Sequence, residues 1–405
     1  MSTIKPFAAL RPNKDLAQSI CTLPYDVMNR AEAKAMAAGK PESFLHVSRP
    51  EIDLDDHVDA YDDRVYETGA KNFRRMMDEG LLVQDDKPGY YLYRQIMGDH
   101  SQIGLVAVAS CQEYRDGVVK KHELTRPVKE NDRVRHIESL NSQTGPVFLT
   151  YRANAELDAL IQKVVDGNSD IDFTTEDKVQ HTSWVISDQP TIERIESLFR
   201  EDIESLYIAD GHHRSAAGSR VDEARKGAGQ SHSFLSVLFP HNQMQILPYN
   251  RAIKDLNGLS PAQLIEKLEG PFVIDPNGDA SPTKQHQIGC YIAGQWYSLE
   301  FRETFTRSED PIDRLDVTLL QNFVLSPLLG IDDPRTSDRI DFVGGIRGTG
   351  ELEKMVDSGK WVCAFSMFPT SIESLMEISD QGGLMPPKST WFEPKLRDAM
   401  FSHLI

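Results

Sequence analysis

Along the chain, short apolar runs alternate with stretches in which apolar residues recur every three or four positions. These are the periodicities of buried strands and amphipathic helices. Residues 90–94, 103–109, 147–151, 181–187, 234–239 and 245–251 read as strands, and 43–47, ending before Arg49-Pro50, reads as another. Val58, Tyr61, Val65, Ala70, Phe73 and Met77 mark one long amphipathic helix over 55–79, stopped by Gly80. Shorter helices are expected over 31–38, 155–166 and 191–201. Asp116-Gly117 predicts a hairpin turn, with Val118-Val119 starting the returning strand. Residues 4–30 are rich in proline, which favours extended loop and short strand.

The pattern changes register around Asn257-Gly258-Leu259. Ser260-Pro261 then supplies an N-cap and a proline at the first helical turn. A hairpin (289–293 with 296–301), a helix over 315–329, a strand over 361–368 and a helix over 372–379 follow. The expected class is α+β, with a mixed or antiparallel sheet core and a smaller C-terminal α+β unit. Its expected divisions are 1–256 for the core with N-terminal elaborations, 257–382 for the smaller domain, and 383–405 for a segment returning towards the core.

One stretch carries more chemistry than its neighbours. Leu206-Tyr207-Ile208-Ala209 is apolar and strand-like, Asp210-Gly211 turns, and His212-His213-Arg214-Ser215-Ala216-Ala217-Gly218 continues as small-residue helix. A strand, a tight glycine turn and a helix start leave backbone N–H groups unpaired, with the helix dipole behind them. Such a corner suits phosphate or carboxylate. A second reading stands beside it: Asp210 caps the helix and the histidines are half-exposed turn residues. Five residues holding a carboxylate, two imidazoles and a guanidinium tilt the balance towards function.

Composition narrows the partners. The 405 residues are 40% hydrophobic and 26% charged, as in ordinary soluble globular proteins. A net charge of −18 repels nucleic acid and anionic membranes, so neither is an expected partner. Cys21, Cys111, Cys290 and Cys363 are widely spaced and form no CxxC pair, which fits a reducing compartment and no zinc or disulfide framework. With no signal pattern at Met1–Phe7 and no bilayer-length apolar run, the expected location is cytoplasmic.

Residues 115–136 run against the overall charge, with seven Lys/Arg and four Asp/Glu. A polyanionic small ligand would account for the local excess. So would a solvated helix face whose charges pair at i,i+3 and i,i+4. Further on, the extended, Pro-locked run Met385-Pro386-Pro387-Lys388-Ser389-Thr390 could touch phosphate or could be a polar turn.

Lys5-Pro6-Phe7 with Arg11-Pro12, Pro24-Tyr25-Asp26-Val27, His122-Glu123 with Arg126 and Asp132-Arg133, Tyr207 to Arg214, and Met385 to Thr390 together resemble a bacterial and archaeal family long labelled as of unknown function. The resemblance covers nearly the whole chain. The Asp-Gly-His-His-Arg core also resembles the phosphate-binding turn of the ParB/sulfiredoxin-like superfamily, which includes nucleotide-binding ParB proteins, sulfiredoxins and free L-serine kinases. It implies a sheet core of that type and phosphorylation of serine, with pyrophosphate or a nucleotide (ATP or ADP) as donor and Mg²⁺ as cofactor. His212 stands where sulfiredoxins carry their catalytic cysteine, which argues against sulfinic acid reduction. No basic helix-turn-helix follows, which argues against a role in DNA segregation.

Phosphoryl transfer needs fixed donors around the phosphate oxygens and a carboxylate to orient or deprotonate the attacking hydroxyl, and these needs assign the candidate roles. Glu123 is the first candidate base, with a surface ion pair to Lys120 or Arg126 as its structural alternative. Asp210 is the second, as base or Mg²⁺ ligand, and His212 joins the catalytic set. Gly211, His213, Arg214, Ser215, His122, Arg126, Arg133 and Lys388 are the candidate phosphate or substrate ligands. Three hypotheses follow: a small-molecule kinase making O-phosphoserine, a ParB-like nucleotide-binding and hydrolysing switch, and an adaptor that binds an anion without chemistry. A homodimer is compatible with the sequence but not dictated by it.

Overall fold

In the computed structural model, which describes all 405 residues, the apolar runs become the strands of two large sheets, with three two-stranded pairs besides. The first sheet takes β1 (Ile4–Lys5), β2 (Tyr90–Met97), β3 (His100–Ser110), β4 (Val119–Lys120), β5 (Val147–Tyr151), β6 (Ile171–Thr174), β7 (Val179–Ile186), β8 (Leu206–Asp210) and β9 (Ser233–Pro240). Their order is β4-β8-β5-β9-β3-β2-β7-β6, with β1 paired to β3. The β4–β8 and β5–β9 pairs are parallel and the others antiparallel, so the sheet is mixed.

Centrality explains composition. In β5 and β9 every residue is buried, and both are near-continuous apolar runs, as a strand covered on both faces must be. The main core joins Leu105, Val147, Leu149, Ile208, Phe234 and Leu238 of the sheet to Leu157, Ile195, Leu198 and Phe199 of the covering helices.

The helices that position the site are α1 (Asp63–Asp78), α2 (Cys111–Asp116), α3 (Pro127–Leu140) and α4 (His212–Arg225). The small residues of α4 let it lie close to the sheet: a Cβ on Gly218 would stand 3.0 Å from Cβ of Phe234. Ala217 and Val221 pack with Ile137 of α3.

Three local expectations give way to helix. Residues Leu45–Ser48 form a short helix and not a strand, because Ser48 N–H closes back on the Phe44 carbonyl. Asp116-Gly117 ends α2 and makes no hairpin. Ser110 caps that helix by accepting from Glu113 N–H, and Gly117, at φ 79°, is its left-handed stop. The expected helix over 315–329 is an α-helix at Asp316–Leu320 followed by a π-helical turn at Gln321–Leu325.

The polypeptide divides into two compact units, one of residues 1–244 with 394–405 and one of 245–393. The second holds a six-stranded, fully antiparallel sheet. Tyr249–Ile253, placed with the core by sequence, pairs there with Ile340–Gly344 and Cys363–Met367, so this unit begins before the Asn257-Gly258 turn. Trp391–Phe392 pairs with Ile246–Leu247 in the same unit, whereas His403–Leu404 pairs with Ser142–Gln143 in the first. All four cysteines are buried and unpaired, and no helix is long and apolar enough to cross a membrane.

Candidate functional site

The corner predicted from sequence is present. β8 ends at Asp210, Gly211 turns with φ 98°, and α4 begins at His212. Gly211 itself is the N-cap, with no capping side chain, so the helix start is left to its own amides. The N–H groups of Arg214 and Ser215 close on the Gly211 carbonyl at 2.9 and 3.0 Å, while those of His212 and His213 have no acceptor in the protein. Two amides therefore point out of the positive end of a fourteen-residue helix.

Asp210 is not a cap. Its Oδ2 lies 3.0 Å from Lys395 Nζ and its Oδ1 3.5 Å from Arg214 Nη2. Burial alone would raise this carboxyl, but Lys395 and then Arg214 outweigh it and hold Asp210 well below the ordinary carboxylate range. With both oxygens facing cations, Asp210 does not fit as a Mg²⁺ ligand, since an ion there would have to displace an ammonium or a guanidinium.

Arg214 is buried and also donates through Nη1 to the Pro146 carbonyl. A Cβ at position 211 would approach its Nε to 3.0 Å, so Gly211 supplies room as well as conformation. Ser215, expected among the phosphate ligands, is fully buried, and its hydroxyl donates to the His212 carbonyl at 3.0 Å. That side chain serves the helix.

The two histidines have different tasks. His213 Nε2 accepts the N–H of Arg126 at 3.0 Å, which ties the loop before α3 to the start of α4. His212 is buried, and its ring meets that of His122 edge-on, with centroids 4.4 Å apart and planes at 86°. Burial drives both buried imidazoles to the neutral form. His122 is lowered to about 4, the nearby Asp210 carboxylate and Ile208 carbonyl offsetting part of the shift, and His212 is lowered further by His122 beside it. Glu123 is exposed on the adjoining loop.

These groups surround a cavity of ≈ 60 Å³ lined by Asp26, Glu123, Asp210, His212, His213 and Arg214 with Tyr25. Beside it a smaller space of ≈ 30 Å³ is bounded by Arg133, His136, Gly145, Arg214 and Asp398. Asp398 is buried, and burial pushes its carboxyl up to about 7, Arg214 opposing and Asp26 adding to the shift.

The cationic segment is largely spent on structure. Arg115 pairs with Asp222 at 2.8 Å, Lys121 sits over the Tyr114 ring at 3.8 Å, and Arg135 over Tyr66 at 4.0 Å. Arg133, an expected phosphate clamp, binds Asp132 at 2.7 Å and stacks on Tyr25 at 3.8 Å, so its guanidinium is taken up by its own neighbours. Arg126 is exposed at the N-cap of α3. Lys388 belongs to the second unit, where its ammonium lies over the Tyr249 ring at 5.2 Å and its carbonyl accepts from Arg251 at 3.1 Å.

The structure thus brings His122, Glu123, Asp210, Gly211, His212, His213 and Arg214 together. Sequence reading missed Lys395, Asp398 and Asp26, the last present in a quoted motif without a role. Lys395 and Asp398 arrive from the far end of the chain, and no local spacing announces them.

Comparison with known proteins places the chain more firmly than it places its activity. No curated protein matches it. Among solved structures, a free serine kinase in complex with AMP is 13% identical, covering 71% of this chain and 86% of its own at a TM-score of 0.36. SbnI with C-terminal truncation from Staphylococcus aureus is 10% identical, covering 72% and 85% at 0.40. A conserved hypothetical protein from Pyrococcus furiosus is 12% identical, covering 73% and 93% at 0.35. At such TM-scores these likenesses carry no functional argument. The family comparison is more decisive: residues 4–318 match DUF1015, described as a protein of unknown function, and with most of its length so matched the chain belongs to that family.

Proposed function

We propose that the corner at Asp210–Arg214 binds a phosphoryl group and transfers it to the hydroxyl of a small molecule. The supporting observation is the start of α4, where the unpartnered amides of His212 and His213 meet a cavity that also holds Lys395-paired Asp210, buried Arg214 and, at its rim, Glu123. Phosphoryl transfer asks little covalent work of a protein. It needs donors fixed around the phosphate oxygens and a carboxylate that orients the attacking hydroxyl.

In this reading the His212 and His213 amides and Arg126 hold the phosphoryl oxygens, and Arg214 and Lys395 fix Asp210 beneath them. Glu123 takes the proton of the acceptor hydroxyl as its oxygen attacks phosphorus. The P–O bond to the rest of the donor breaks, and that group leaves with the electron pair. Free L-serine as acceptor, and pyrophosphate or a nucleotide as donor, come from the sequence resemblance, as does a ParB/sulfiredoxin-like type for the core. Mg²⁺ would accompany the donor phosphates and supply charge neutralisation. A cytoplasmic setting agrees with four unpaired thiols.

The test is incubation of the full chain with L-serine, Mg²⁺ and, separately, pyrophosphate, ADP and ATP, followed by ³¹P NMR. O-phosphoserine with one donor and its absence with Glu123→Gln are expected. Nucleotide binding without phosphorylated product would favour the ParB-like switch instead.

A further inference from the structure

We propose that His122, Glu123 and His212 form a binding site for a borderline divalent cation of the Zn²⁺ or Fe²⁺ class. The donor atoms of these three side chains lie within 4.8 Å of one another, although His212 opens α4 and the other two sit on the loop after β4. An adjacent-histidine pair could not make such a site from sequence alone. It is the parallel pairing of β4 with β8 that delivers the loop to the helix start.

Two observations point to a ligand beyond this proximity. His122 is 3% exposed, and its Nδ1 is buried without a hydrogen-bond partner. A buried, unsatisfied polar atom in a folded protein calls for an explanation, and a bound ion is one of the few available. Second, the two buried rings meet edge-on with no hydrogen bond between them. The closest polar approach there is the His122 backbone N–H to His212 Nε2, at 3.5 Å, the outer limit for such a bond. The Ile208 carbonyl engages no more than one nitrogen of the His122 ring, so each imidazole keeps a nitrogen for a ligand.

The donor set selects the ion. Two imidazoles and one carboxylate with further positions open suit Zn²⁺ or Fe²⁺, whereas Mg²⁺ prefers an all-oxygen octahedron. Bonds of about 2.1 Å place neighbouring tetrahedral donors about 3.4 Å apart, so the set must contract by up to about 1.4 Å. Glu123, the exposed member on a loop, is the one whose side chain can swing inward. Metal binding here does not depend on phosphotransfer, and a carboxylate bound to metal is withdrawn from service as a proton acceptor. The test is accordingly made without substrates.

Full-length, untagged, chelator-treated protein is titrated with Co²⁺, followed by visible absorption, and with Zn²⁺, followed by calorimetry. Bound metal is then counted by elemental analysis after gel filtration. One equivalent per chain is expected, undisturbed by millimolar Mg²⁺ and weakened at least about tenfold by Glu123→Gln and more by His122→Asn. Glu123→Gln changes an exposed loop residue and keeps the test valid even if His122→Asn fails to fold. Substoichiometric metal, displacement by Mg²⁺, or unaltered affinity in Glu123→Gln would overturn the proposal. Serine phosphorylation by the metal-free chain, in which Glu123 stays available as proton acceptor, stands or falls separately.

Discussion

Lys395 Nζ lies 3.0 Å from Asp210 Oδ2, a contact that spans 185 positions of sequence and closes the C-terminal segment onto the end of β8. Asp210 is thereby held between two cations, one from its own helix and one from the far end of the chain. The carboxylate so fixed is a strut beneath the start of α4, an arrangement distinct from that of a solvent-exposed base.

Replacing Lys395 tests this strut. Lys395→Met removes one of two partners of a largely buried carboxylate and should cost about 1–2 kcal/mol, less than a fully orphaned charge because Arg214 remains. A lower urea midpoint is expected, together with weaker binding of inorganic phosphate or pyrophosphate by calorimetry. Unchanged stability and unchanged anion affinity would separate Lys395 from the site.

Arg214 cannot be treated as a surface clamp. It is buried, pairs with Asp210 and donates to the Pro146 carbonyl, so Arg214→Ala leaves a carboxylate and a carbonyl short of partners. The expected loss is about 3–5 kcal/mol, and loss of activity in that variant alone would not distinguish a catalytic from a structural role. Arg214→Lys keeps the charge and loses the planar fork. It should fold, with a reduced midpoint, and show phosphotransfer lowered by tenfold or more in the ³¹P assay. Full activity in Arg214→Lys would show that the fork is not needed.

Gly211 is constrained twice. Its φ of 98° disfavours any L side chain, and a Cβ there would press on the Arg214 guanidinium at 3.0–3.3 Å. Gly211→Ala should therefore cost about 1–2 kcal/mol from backbone conformation alone and should tilt Arg214 away from Asp210. A drop in phosphate affinity larger than that seen with Gly117→Ala is the expected signature, because Gly117 also has positive φ, at 79°, but has open space around it.

The corner was legible because its signals are local: an apolar strand, a glycine and a small-residue helix follow one another within fifteen positions of sequence. What surrounds the corner was less legible, since it comes from elsewhere in the chain. His122 reaches His212 only through the β4–β8 pairing, and Lys395 and Asp398 return after the whole second unit has intervened. The excess of cations over 115–136 suggested a polyanion, yet Arg133, Arg135 and Lys121 are absorbed by aromatic faces, which leave no mark in a charge count. The segment 43–47 had strand-like composition, but closure of one helical turn onto Phe44 decided its conformation.

Stability should fall on mild acidification, with Asp398 the group that opposes the fall most strongly. His136, His181 and His403 are buried and lowered to about 4, 3 and 4, with burial the leading cause in each. Unfolded histidine titrates near 6.5, so between about 6.5 and 4 the unfolded chain holds more protons, and stability present above that window is lost as pH falls through it. Asp398 acts with the opposite sign. Its folded carboxyl titrates at about 7 because it is buried, so between its unfolded value and 7 the folded chain holds the extra proton, and its contribution weakens as pH rises. Six imidazoles are lowered, His122, His212 and His213 besides these three, against one imidazole and three carboxyls raised (His46, Asp158, Asp316 and Asp398), and the urea midpoint should drop between pH 7 and pH 5. Asp398→Asn, whose amide oxygen can still accept from the Tyr25 backbone as the carboxyl does, removes the opposing contribution. Its midpoint should fall more steeply over the same interval. An equally steep fall in Asp398→Asn and in the parent chain would show that Asp398 is charged in the folded protein throughout this interval, bound to Arg214 as a permanent ion pair.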